Sequence, residues 1–162
     1  MICAPVSGAQ FAVGKTTVTC TAVDASGNDN AATFVVWVTY EAPTDGSFFL
    51  KPIRGDNSSV FRIGRAVPIK FRLAGASKDI TNLVARVEIT KISDTVRGTV
   101  DCDSDEDDDA PDDALTFAYR PGRKLYAYRW KTRGETRGTY RLRADLGDDV
   151  THEVTVSLKT HH

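Results

Sequence analysis

The sequence predicts an all-β chain, an immunoglobulin-like β-sandwich preceded by an incomplete immunoglobulin-like half-domain. Three observations carry that reading. Apolar residues recur at every second position: Val67, Ile69, Phe71 and Leu73 alternate with Pro68, Lys70 and Arg72, the period that sends one face to a core and the other to water. Clusters of Gly, Asn, Asp and Pro bound such segments, and no helical period lasts beyond a turn or two. With 162 residues, 41% hydrophobic and 27% charged, the chain has room for one large domain or two small ones, and disorder throughout is excluded.

Along the chain, strands are expected at Val18/Cys20/Ala22 and over residues 34–40, with the turn between them supplied by Asp24-Ala25-Ser26-Gly27-Asn28. Pro and Gly in Glu41-Ala42-Pro43-Thr44-Asp45-Gly46 then mark a boundary. Residues 1–42 hold three strand signals, too few for a sandwich of about seven. Residues 43–160 are the second domain, and 47–160 hold eight or so signals and could fold alone: Val67/Ile69/Phe71, Ala85/Val87/Ile89, Leu115/Phe117/Tyr119, Tyr126/Tyr128/Trp130, Tyr140/Leu142/Ala144 and Val150/Val154/Val156/Leu158 are the clearest. Residues 161–162, His161 and His162, read as the remnant of a purification tag. Met1-Ile2-Cys3 offers no charged leader, so a secretion signal is expected outside this chain. The longest apolar run, 34–38, is too short to cross a bilayer as a helix.

A net charge of −1 conceals an uneven distribution. Nine acidic residues and no basic one fall in 101–113, which leaves 13 acidic against 21 basic residues elsewhere. Nine Lys or Arg residues face Glu135 alone over 120–143.

Two resemblances follow from local motifs. Pro5-Val6-Ser7-Gly8, Phe11 with Val13-Gly14, Val18-Thr19-Cys20-Thr21-Ala22 and Asp24-Ala25-Ser26-Gly27-Asn28 resemble the second half of a hyalin repeat (HYR), an immunoglobulin-like extracellular module. From Phe48 onward the chain is similar to the bacterial PxKF module, through Pro68-Ile69-Lys70-Phe71, Gly64-Arg65-Ala66-Val67, Asp101-Cys102-Asp103, Tyr128-Arg129-Trp130-Lys131-Thr132 and Gly138-Thr139-Tyr140-Arg141-Leu142. Members of that family commonly carry a second Cys where this sequence has Tyr140, which leaves Cys102 without the partner the resemblance implies. Such modules end secreted, multi-domain bacterial proteins.

Cys3 and Cys20 enclose sixteen residues, a loop a hairpin can close, and a disulfide is expected there; two buried thiols or a pair of metal ligands are the alternatives. Cys102 lies between two aspartates that disfavour its thiolate, which argues against a reactive role. Asp101, Asp103 and Asp105 stand at alternate positions like the opening of a calcium loop, and with Asp107, Asp109 and Asp112 they form the candidate Ca²⁺ set. Counting from Asp101, however, the sixth and twelfth positions are Glu106 and Asp112, where a helix-loop-helix calcium site has Gly and Glu. The competing reading is a solvated acidic loop.

Other motifs carry less. Gly14-Lys15-Thr16 lacks the earlier Gly of a phosphate loop, since position 9 is Ala, and a β-branched strand follows in place of a helix. Arg54-Gly55-Asp56 is the tripeptide integrins recognise, and is also ordinary turn chemistry. Alternation puts Tyr126, Tyr128 and Trp130 opposite Arg129 and Lys131, so the aromatics belong to a core and the basic face to solvent or an acidic polymer; no nucleic-acid partner is expected. His152 shares the parity of Val150 and Val154, and no nucleophile–His pattern accompanies it.

The expectation is therefore a non-enzymatic, secreted or cell-surface segment with a structural, adhesive or self-assembling role and no cofactor. Three strands leave unpaired backbone edges along Val18 to Ala22 and along Phe34 to Tyr40, and the apolar run of the second, Phe34, Val35, Val36, Trp37 and Val38, is the candidate for strand addition by other copies of itself or by upstream domains of a parent chain. The alternative is a Ca²⁺- or glycan-binding accessory module of a secreted enzyme, with Trp37 and Tyr40 as the aromatics left over for a sugar.

Overall fold

The computed structural model describes residues 1–45, 47–104 and 114–160, and the fold is all-β. The chain divides into two compact units, Met1–Tyr40 with Gly147–Asp149, and Glu41–Leu146 with Val150–His162.

In the first unit β1 (Ile2–Ala4), β2 (Gly14–Val23) and β3 (Asp29–Val38) form one antiparallel sheet in the order β1-β2-β3. Thr16, Thr17, Val18, Thr19 and Thr21 make β2 a β-branched run that favours the extended backbone. The turn to β3 is built by Asp24: its carboxylate accepts from the backbone N–H groups of Ser26 and Asn28 at 2.8 and 2.9 Å and from the Asn28 amide at 2.9 Å. Gly27 completes it at φ 84°, where a side chain is disfavoured. Two expectations change. The edge expected along Val18, Cys20 and Ala22 is largely closed, because β2 is the central strand and Ile2, Cys3 and Ala4 pair with Thr21, Cys20 and Thr19. The strand expected over 34–40 begins at Asp29 and ends at Val38, because all ten β2 residues find partners in β3.

The second unit packs two sheets. The larger, β6-β10-β11-β4-β7, contains β4 (Ser59–Arg62), β6 (Arg86–Ser93), β7 (Val100–Asp101), β10 (Gly138–Asp145) and β11 (Thr151–Lys159). The smaller, β5-β9-β8, contains β5 (Ala66–Phe71), β8 (Ala118–Arg120) and β9 (Leu125–Lys131). Alternation builds the core as expected: Val67, Ile69, Phe71, Tyr126, Tyr128 and Trp130 from the smaller sheet are buried, as are Tyr140, Leu142, Val154, Val156 and Leu158 from the larger. Phe71 stacks on Tyr126 with centroids 5.1 Å apart and meets Phe117 edge-on at 4.8 Å.

The outer face of β5 departs from the sequence reading. Pro68 and Lys70, expected in water, are buried. Part of the reason is the segment entering β4: Leu50 donates its N–H to the Lys70 carbonyl at 2.8 Å and packs against Leu125 and Ala127.

Hydroxyl groups then pin loops to the sheets. Ser157 Oγ accepts from the N–H groups of Arg97 and Gly98 at 3.0 and 2.9 Å, while Thr139 Oγ1 donates to the Thr95 carbonyl at 2.7 Å. Tyr140 Oη donates to the Thr136 carbonyl at 2.8 Å and accepts from the Thr136 N–H at 3.2 Å. A tyrosine at the start of a strand reaching back to upstream backbone is a recurrent corner of immunoglobulin-like sandwiches. Tyr140 thus has a structural task of its own.

Candidate functional site

Register brings Cys3 opposite Cys20, with Cα atoms 4.0 Å apart, and their sulfurs are bonded. The cystine ties β1, only three residues long, to the ten-residue β2. Cys102 is a free, half-buried thiol.

Beyond β3 the sheet has no further strand among the described residues: the second edge of β3 pairs with none. Phe34, Val35 and Trp37 on that strand are 54, 58 and 50% exposed, while Val36 and Val38 are half-buried. Pairing of Val18 with Phe34 places Phe34, Val36 and Val38 on the face that holds buried Val18 and the cystine. Val35 and Trp37 turn to the other face. An open backbone edge and exposed apolar side chains on both faces coincide on one strand.

Trp37 does not offer a sugar an open platform. Lys15 Nζ lies over its ring at 4.6 Å, and the indole N–H donates to the Asp148 carbonyl at 2.7 Å within the same unit. Tyr40 is half-buried, its N–H bonded to Asp148 Oδ2 at 2.9 Å.

Of the candidate calcium ligands, Asp101 and Asp103 are described; Asp105, Asp107, Asp109 and Asp112 lie outside the described residues. Both carboxylate oxygens of Asp101 accept from Lys159 Nζ at 2.6 Å. A cation at Asp101 has to displace that ammonium. Among the described residues no group of three or more His, Cys, Asp or Glu is placed to hold a metal. The cavity beside Asp101, about 280 Å³, is lined by Val60, Arg62, Arg65, Cys102, Asp103 and Lys159. Three cations therefore share the surroundings of Cys102 with its flanking aspartates, which the sequence, seeing only neighbours in the chain, does not reveal.

Arg54 and Asp56 pair with each other, Nε to Oδ2 at 3.7 Å, rather than splaying apart. Asp56 is held below its ordinary carboxylate range chiefly by the hydrogen bond from the Ser58 hydroxyl. Gly14-Lys15-Thr16 opens β2, so no helix N-terminus stands there to meet phosphate. His152 stacks on Phe48 with centroids 3.9 Å apart, a packing role at the end of the core.

With this geometry in view, residues 3–38 match the family model of the HYR domain. The match takes in both bonded cysteines, all of β2 and β3, and all of β1 but its first residue. The HYR domain is a non-catalytic extracellular repeat module. No curated protein matches the chain.

Proposed function

We propose that this protein is a secreted or cell-surface, non-enzymatic module that works in adhesion or self-assembly through the open edge of β3, and that its second unit is a PxKF-type sandwich. One observation carries the reading. β3 presents ten residues of backbone along an edge unpaired among the described residues, together with exposed Phe34, Val35 and Trp37. A strand laid along it gains main-chain hydrogen bonds and covers apolar side chains, the way extended segments add to sheet edges. The occupant proposed is a strand from a second copy. Repeated head to tail, the contact grows a filament; made about a two-fold axis, it stops at a dimer. The HYR match and the disulfide support an extracellular setting.

Light scattering over a concentration series tests this. The average mass should rise with concentration, and Val35→Lys, which places a charge on the edge, should abolish the rise. A strict monomer at every concentration whose 34–38 amides are nevertheless strongly protected from exchange overturns it.

A further inference from the structure

The parity of hydrogen bonding along the first sheet decides which residues its edges offer. In an antiparallel ladder, successive residues of a strand turn N–H and C=O alternately to one neighbour and to the other side. Lys15 stands opposite Trp37 in the register but donates its N–H to Asp149 Oδ2 at 3.2 Å, away from β3. Cys20 falls in the other class. Its Cα lies 4.0 Å from that of Cys3, the close spacing of a pair that exchanges no main-chain bonds, so it bonds towards β3 through Ala32. Asp29, Ala31, Thr33, Val35 and Trp37 therefore point N–H and C=O to the open edge, while Asn30, Ala32, Phe34, Val36 and Val38 bond to β2.

The opposite edge of the sheet offers no such row. It belongs to β1, three residues long, in which Cys3 alone turns its backbone outward, and Pro5, next of the same parity, has no N–H. In the second unit, the edge of β5 is met by Phe49 and Leu50. The eight-residue edge strand β6 exchanges bonds with a neighbouring segment, Val87 N–H to the Leu115 carbonyl and Phe117 N–H to the Ala85 carbonyl, both at 2.9 Å, and carries Arg86, Glu88 and Lys91. Growth head to tail needs two long edges that fit each other. Among the described residues this chain offers one.

We propose, on the basis of the edge reading above, that the partner of β3 is β3 of a second copy, laid antiparallel about a two-fold axis, and that assembly stops at this dimer in one continuous sheet with three strands from each copy. The register that pairs all the outward residues sets Thr33 opposite Thr33 of the second copy, Ala31 opposite Val35 and Asp29 opposite Trp37. Phe34 then lies beside Ala32, bulk against a small residue, and the two Asp29 carboxylates fall at opposite ends of the ladder instead of facing each other. The added strand covers Phe34 and Val35, each more than half exposed in the single chain.

Sedimentation equilibrium of the full chain over a concentration series, with residue-resolved amide exchange on the same samples, tests it. The mass should rise from one chain to two and stop. Amides of Ala32, Phe34 and Val36 should exchange slowly at every concentration, and those of Ala31, Thr33 and Val35 should slow only as the dimer forms. Thr33→Pro removes an N–H that β2 does not use, so it should leave the β2 amides protected and weaken dimerisation by about tenfold or more, whereas Thr33→Ser should change it less than about threefold. The exchange pattern of the unaltered chain decides even where Thr33→Pro loses its fold. A mass that climbs past two overturns the two-fold dimer and leaves the edge reading standing. A mass that stays at one, or a dimer in which the Thr33 and Val35 amides still exchange freely, overturns both. A folded Thr33→Pro chain that pairs as tightly as the unaltered one overturns the dimer proposed.

Discussion

Asp24 is a residue whose task is readable directly from sequence, because its partners lie within four positions. Its carboxyl is held below the ordinary value of 3.8, first by the Asn28 side chain and then by the Asn28 backbone N–H. A folded value below the unfolded one means the charged form supports the turn at neutral pH, and that support is lost as pH falls through the folded value. The first unit should therefore melt at lower temperature below about pH 4, and Asp24→Ala should lower the neutral-pH melting temperature while flattening that acid dependence. Circular dichroism melts from pH 2.5 to 7 read both. Ser157 is the opposite case. Its strand parity says only that it alternates with Val156 and Leu158, whereas its worth lies in capturing the Arg97 and Gly98 N–H groups some sixty positions away. Ser157→Ala leaves those donors without that acceptor, and should cost about 1–3 kcal/mol in denaturant unfolding. An unchanged midpoint would show that water or Thr139 replaces the hydroxyl at no cost. Tyr140 hides in the same way: sequence places it in the core, and only the fold brings its hydroxyl back to Thr136.

Among the elements, β9, β10 and β11 were legible because both their faces follow the period of two over seven or more residues. The outer face of β5 was not, since the Leu50 segment that packs on its neighbour β9 is no part of its own pattern. The first sheet shows the same limit. Three short apolar signals suggested two open edges, but the pairing of Cys3 with Cys20 selects β1 as the neighbour of β2 and leaves β3 as the long open one. That bond closes a loop with a sequence separation of 17. In the chain-entropy account such a crosslink is worth about 3 kcal/mol. Mild reduction, or Cys3→Ser with Cys20→Ser, should accordingly destabilise the first unit by about that amount and leave the second untouched, because Cys102 forms no bond. Exchange measured by mass spectrometry should show faster amides over 2–23 and unchanged ones over β9–β11; uniform acceleration through both units would contradict it.

At the scale of the whole molecule, Pro and Gly after the 34–38 run mark a boundary in the sequence, whereas the residue at which the second unit begins rests on contacts no composition shift can show. Glu41 is its first residue and is held three ways: its N–H donates to Ser77 Oγ at 3.0 Å, its carbonyl accepts from the Ala74 N–H at 2.8 Å, and Oε2 accepts from the Ala76 N–H at 2.9 Å. The core it joins draws Phe71, Tyr126, Leu142 and Val156 from the second unit alone. A fragment of residues 41–160 should therefore melt cooperatively with the near-ultraviolet signal of packed aromatics, whereas a fragment of 47–160, lacking Glu41, should fold with stability lower by about 1–3 kcal/mol. Gradual melting of the longer fragment would mean that the sandwich needs the first sheet to fold, and equal stability of the two would mean that the Glu41 bonds merely replace bonds to water.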